Sequence, residues 1–249
     1  MTTPILPGAE PYFHEGGAHG VLVLHGFTGN PSSVRSLAER FAGAGYTVLL
    51  PRLPGHGTSV EDLMTTAWDD WSQAALAAYD EVAAMCPHVL VAGLSMGGGL
   101  AAMIAEQRRV VGAVLINPLV TAPGADMSEG VRQLLEAGVE TVDSIGSDVK
   151  KEGVAESSYA ATPLGCVASL FAGIKDVEAN LSKISAPCLV LSSREDHVVT
   201  SDNGDALVEN VSGPIERVWL EDSFHVATID NDQELVESSA LAFAAKVFS

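Results

Sequence analysis

"VAGLSMGGGL", residues 91–100, sets a serine between an apolar run and a string of glycines. Within it, Gly93-Leu94-Ser95-Met96-Gly97 places a glycine two positions to either side of Ser95. A strand that turns at once into a helix needs that spacing, because a side chain at either flanking position would strike neighbouring backbone. The surroundings agree. His88-Val89-Leu90-Val91-Ala92 is a short apolar run of the buried-strand type, and GGLAAMIAEQ at 98–107 is a small-residue helix that can pack closely on a sheet. The stretch predicts strand, sharp turn and helix, with Ser95 presented at the turn as a nucleophile. An ordinary serine at a strand end is the plainer alternative.

Outward from this turn, strand-like runs recur at 20–24, 47–50, 110–116, 188–192 and 215–220. Helical patterns lie between them. One at 31–42 opens with Asn30-Pro31, a cap followed by proline in the first turn. Another spans 68–85, and a third, 231–248, closes the chain. Strands alternating with helices imply an α/β fold, a mostly parallel sheet covered on both faces. Residues 118–180 break the alternation, with turn signals at Ala122-Pro123-Gly124 and Thr162-Pro163 and no convincing strand. A structureless loop of that length is improbable, so helices, among them 128–137 and 164–174, are expected as a cap insertion in a single domain of 1–249.

Composition narrows the class. In 249 residues, 32 acidic side chains against 13 basic ones give a net charge of -19. Such a surface repels phosphate backbones, so nucleic acid is not an expected partner, and neutral substrates are favoured over anionic ones. No apolar run reaches the ~18 residues of a membrane span, and no basic-then-apolar leader opens the sequence. A cytoplasmic location is the expectation. The cysteines, Cys86, Cys166 and Cys188, are too few and too widely spaced for a disulfide framework or a metal site.

In a parallel sheet, ligands bind beyond the carboxyl ends of the strands. There the sequence puts His25-Gly26-Phe27-Thr28-Gly29, then Ser95, then Arg194-Glu195-Asp196-His197, then Glu221-Asp222-Ser223-Phe224-His225. A serine hydroxyl attacks only when a base takes its proton, and imidazole titrates near working pH. A carboxylate fixes the ring's tautomer and stabilises the imidazolium. Of the two histidines after the serine, His225 is the better base, since His197 adjoins Asp196 and cannot easily face it. Asp196 is the preferred acid, with Glu195 and Asp222 as competitors. The amides of Met96 and Phe27 are placed to form the oxyanion hole. His25 and His56 read as loop-shaping groups, and Trp68 and Trp71 as core.

These motifs, with Leu53-Pro54-Gly55-His56-Gly57, Ser193-Arg194-Glu195-Asp196-His197-Val198-Val199 and Ser223-Phe224-His225-Val226, resemble the α/β-hydrolase superfamily. More closely they are similar to bacterial monoacylglycerol lipases and thermostable carboxylesterases, from about Pro7 to the C-terminus and including Ile145-Gly146-Ser147-Asp148-Val149-Lys150. The resemblance implies a triad of Ser95, Asp196 and His225, an oxyanion hole of Phe27 and Met96, no cofactor, no metal, and a small-molecule ester substrate. With so short an N-terminal region, about seven strands are expected. Ile145, Val154, Leu164, Val167 and Leu170 either pack on the core or line an acyl tunnel. Glu156 is either a solvated charge or, as the resemblance suggests, a contact for glycerol. General esterase or thioesterase activity, perhydrolysis or halogenation on the same triad, and a catalytically silent binding module are the competing readings.

Overall fold

The computed structural model describes residues 3–249. Six strands run parallel: β2 (His19–Leu24), β3 (Thr47–Leu50), β4 (His88–Leu94), β5 (Gly112–Ile116), β8 (Cys188–Ser193) and β9 (Ile215–Leu220). A short β1 (Tyr12–His14) pairs antiparallel with β3, giving a seven-stranded sheet in the order β1-β3-β2-β4-β5-β8-β9.

The inner strands β2, β3, β4, β5 and β8 are mostly apolar because both faces are covered, whereas the edge strand β9 carries Glu216 and Arg217 and is only partly buried. Successive side chains of β2 part company: Leu22 and Leu24 join one core, Val21 and Val23 the other. The first core lies under α3 (Trp68–Met85) and α4 (Met96–Gln107), with Trp71 and Ile104 fully buried. The second lies under α1 (Arg35–Gly43) and α8 (Gln233–Val247), where Phe41 and Phe243 pack on the sheet. Each such large side chain contributes about 1.5–3 kcal/mol by leaving water.

The chain runs outward from β2 to β3, returns to lay β4 on the other side of β2, and continues outward through β5. The helices after β2 and β4 therefore leave for opposite faces, and the loops that start them bound a crevice. That crevice positions the site.

Helix starts follow their caps. The Asn30 side chain accepts a 3.0 Å hydrogen bond from Ser32 N, but the turn it caps is a 3₁₀ turn, Pro31–Ser33, with α1 beginning two residues later. Two short helices, of four and nine residues, escape a periodicity reading: α2 (Val60–Leu63) and α7 (Asp202–Asn210).

The insertion corrects one expectation. Between α5 (Ala125–Glu136) and α6 (Leu164–Asn180), two three-residue strands, β6 (Thr141–Asp143) and β7 (Ala161–Pro163), pair antiparallel. Three residues ending in proline carry no readable alternation, which is why 118–180 reads as strandless. The helix expected at 164–174 continues to Asn180 and packs against α3 and α4. Gly173 permits that approach, since a Cβ there would lie 2.2 Å from the Trp68 ring. In contrast α5 buries none of its residues.

Candidate active site

Ser95 stands between β4 and α4 with φ 57° and ψ -121°, a conformation that costs about 1–3 kcal/mol for a residue with a side chain. The glycines make it possible. A Cβ on Gly93 would lie 2.0 Å from Gly97 O, and one on Gly97 would lie 2.2 Å from Leu24 O. Backbone bonds on both sides hold the turn: Ser95 N donates to Ile116 O at 3.0 Å, and Ser95 O accepts from Leu119 N at 3.0 Å and Gly99 N at 3.1 Å. The Ser95 side chain makes no capping bond to α4.

Met96 is the first residue of α4, where amide N–H groups lack intrahelical acceptors and the helix dipole favours negative charge. Phe27 follows β2 on the facing loop. Among the described residues neither amide donates to a backbone acceptor outside the helix and strand ladders. A Cβ on Gly26 would lie 3.4 Å from Ser95 Cβ, so this loop closes directly over the serine.

His25 is fully buried and shapes that loop. Leu53 N donates to its Nε2 at 3.1 Å, which leaves the proton on Nδ1 to be donated to Gly26 O at 2.9 Å. Gly26 O and Phe27 N–H belong to one planar peptide, so the ring also fixes the direction of the Phe27 amide. Burial pushes the His25 pKa down to about 4 and that of the neighbouring His56 down to about 3, keeping both rings neutral. His56 Nδ1 bonds to Pro54 O at 2.9 Å. Behind them Trp71 is fully buried and Trp68 nearly so, as core residues.

Asp196 lies three residues past β8. Its Oδ1 accepts from Val198 N and Val199 N, both at 2.8 Å, and its Oδ2 faces His225 Nδ1 at 2.8 Å. Both side chains are withdrawn from solvent, at 2% and 8% exposure. An ionised carboxylate only accepts, so Nδ1 carries the proton and Nε2 is left bare as a base. His225 makes this bond and, among the described residues, none to Ser95 Oγ. Such contacts are commonly long in unliganded hydrolases and tighten on substrate.

The competing candidates sit elsewhere. Lys150 takes Glu195 and Asp222 as salt-bridge partners, and exposed His197 turns its Nδ1 to Asp148 Oδ1 at 2.8 Å. That hydrogen bond raises the His197 pKa above the ordinary imidazole range.

Glu156 comes into the site from the insertion. Its Oε1 lies where a Cβ on Gly29 would be 2.6 Å away. Asn30 Nδ2 donates to Ser157 O at 2.5 Å, and Tyr159 OH donates to Gly55 O at 2.7 Å, pinning the segment to the loops after β2 and β3. Burial pushes the Glu156 carboxyl up to about 7, against the opposing pull of His225 and a hydrogen bond with Ser33. Ile145 is 74% exposed, while Leu164 and Leu170 are buried.

Asn117 is a residue the motifs do not announce. It follows β5 with φ 39°, and its Nδ2 donates to His225 O at 2.8 Å and to Ser193 Oγ at 2.9 Å. Its Oδ1 accepts from Ser193 N at 2.7 Å, tying the acid and histidine loops together. The signal was its place at a strand end. Among the described residues no group of His, Cys, Asp and Glu could hold a metal, and no helix is long and apolar enough to cross a membrane. The three cysteines are buried and form no disulfide.

With this geometry in view, the comparisons with known proteins are consistent. Residues 21–238 match the alpha/beta hydrolase family. The chain is 42% identical over 247 residues to a thermostable monoacylglycerol lipase of Bacillus sp. (strain H-257), covering 98% of this chain and 97% of that one. It is 28% identical to a carboxylesterase of Bacillus subtilis (strain 168), with 96% and 97% covered. A metagenome-derived lipolytic enzyme of known structure superposes with a TM-score of 0.93 at 41% identity, over 98% of this chain and all of the other.

Proposed function

The chain belongs to the alpha/beta hydrolase family, and from that premise we propose that it cleaves monoacylglycerols to glycerol and fatty acid through an acyl-enzyme on Ser95. Ester hydrolysis by a serine hydrolase is the activity of this class; the glycerol ester is the finer reading. In it, His225 Nε2 takes the Ser95 proton as Oγ attacks the ester carbonyl. The Phe27 and Met96 amides receive the oxyanion, and Asp196 stabilises the imidazolium. His225 then protonates the departing glycerol oxygen. Water, deprotonated by the same ring, releases the fatty acid.

The observation that supports the acyl-enzyme is the strained Ser95 turn, since a structural serine needs no positive φ, and the glycerol ester rests on the 42% identity to a monoacylglycerol lipase. A panel of monoacylglycerols against matched methyl esters and thioesters tests it. Equal rates throughout would favour the general esterase reading, and neither turnover of a chromogenic ester nor phosphonate labelling would leave only a binding module.

Glu156 supports glycerol as the leaving group. A carboxylate can accept from both free hydroxyls of a monoacylglycerol, and a bond to a charged group is worth about 1.5–3 kcal/mol, or roughly 10- to 150-fold. Glu156→Leu is expected to lower kcat/KM for monolauroylglycerol by that factor and to leave methyl laurate nearly unchanged. Two substrates falling together would remove the assignment. Because the carboxyl titrates at about 7, wild-type preference for the glycerol ester rises between roughly pH 6 and 8. Stability runs the other way. A raised carboxyl pKa favours the folded state below the unfolded value, and this contribution is lost as pH climbs through about 7. Glu156→Gln should therefore gain thermal stability relative to wild type progressively as pH rises from about 4.5 to about 7, with the full difference retained above that.

Ile145 is kept as an acyl-chain candidate on the resemblance alone, since at 74% exposed it is not part of an enclosed tunnel wall. Ile145→Trp should shift preference toward shorter acyl chains, measured across a homologous ester series. An unchanged profile would remove it from the substrate contacts.

A further inference from the structure

One carboxylate from the insertion reaches both loops that carry the acid–base pair. Asp148 Oδ2 accepts from His225 N at 3.0 Å and from His197 N at 3.2 Å, and Oδ1 faces His197 Nδ1 at 2.8 Å. Its backbone oxygen accepts from Val226 N at 3.1 Å. Asp148 thus grips the histidine loop at 225 and 226 and the acid loop one residue beyond Asp196. Its side chain is 12% exposed, so little solvent competes for these bonds.

The grip is returned from the other side. Fully buried Asp230, on the histidine loop, accepts at Oδ2 from Lys150 N at 2.7 Å and from Phe224 N at 2.9 Å. Its Oδ1 accepts from Lys151 N at 2.8 Å. Lys150 Nζ in turn reaches Glu195 at 3.4 Å and Asp222 at 3.2 Å. Residues 148–151 are therefore stitched to both loops, and Asp148 is the member that touches the backbone of His225 itself.

We propose that Asp148 is a positioning residue that sets the spacing between Asp196 and His225, so that the insertion tunes the proton-transfer step as well as covering the crevice. This rests on the Ser95 mechanism above. The imidazole must serve the serine and the leaving oxygen in turn, and a misplacement of about 1 Å in such a group costs on the order of 10²-fold. Freed of Asp148, the His225 amide loses its acceptor and the ring its fixed origin.

The test is steady-state hydrolysis of p-nitrophenyl acetate, with rates expressed per site titrated by a phosphonate. Asp148→Ala should lower kcat by about 10- to 100-fold and leave KM within about twofold. Asp148→Asn should recover most of the loss, because its carbonyl oxygen still accepts from both backbone amides while its NH₂ meets the alternative His197 tautomer. Should the alanine variant not fold, Asp148→Ser gives the same comparison with a polar group too short to span both loops. Wild-type kcat in the alanine or serine variant, or an asparagine variant as slow as either, would overturn the proposal. Failure of the underlying mechanism looks different, as wild-type enzyme would then not be titrated at Ser95.

Discussion

Ser95→Ala is expected to leave the fold intact and to lower ester turnover by about 10⁴- to 10⁶-fold. Alanine keeps the Cβ, so the positive φ and its cost are unchanged. The three hydrogen bonds of the turn use only backbone atoms and survive the substitution. The loss is confined to Oγ, which makes no capping bond to α4. Thermal unfolding should therefore superpose on wild type while the burst disappears. A phosphonate should add once per chain, found by mass spectrometry on the peptide holding Ser95. Labelling at another serine, or full turnover in the variant, would require a different nucleophile.

The second large effect separates two histidines. His225→Ala should abolish acylation, with a loss on the scale of Ser95→Ala, since a triad's members act as a unit. His197→Ala should cost less than about tenfold, because an exposed ion pair contributes little and the His197 amide can still reach Asp148. Turnover should persist in EDTA, as the proposed chemistry draws on no metal. Equal losses in the two variants, or EDTA inactivation reversed by zinc, would defeat the assignment.

The sequence displays the frame of this protein and much of its candidate site, but not the supports. Buried parallel strands are written as apolar runs, so β2, β3, β4, β5 and β8 can be read directly, and β9 by its apolar Val218-Trp219-Leu220 end. At three residues and half exposed, β1 carries no pattern, and neither do β6 and β7. Ser95, Asp196 and His225 are legible because each lies just past a readable strand. Asn117 shows only its place at the end of β5, and Asp148 and Asp230 are not legible. Their partners lie 76, 77 and 80 residues away, and a polar side chain says nothing of so distant an acceptor or donor. Glu156 was legible only through resemblance, its burial being a property of the folded insertion.

The three tryptophans are spread in a way that gives the protein its own optical reporters. Trp71 lies 5.4 Å from the Phe27 ring and 5.5 Å from His56, with its indole N–H held by Thr66 Oγ1 at 3.0 Å. Trp68 presses on Gly173 of the insertion, and Trp219 lies between the guanidinium groups of Arg194 and Arg217 at the far edge of the sheet. Indole emission follows the polarity and packing around the ring. Light from Trp71 therefore senses the oxyanion loop, light from Trp68 senses the seating of the insertion, and Trp219 supplies a distant reference. Single-tryptophan variants would let the oxyanion loop and the insertion be followed separately, in solution and without an attached dye.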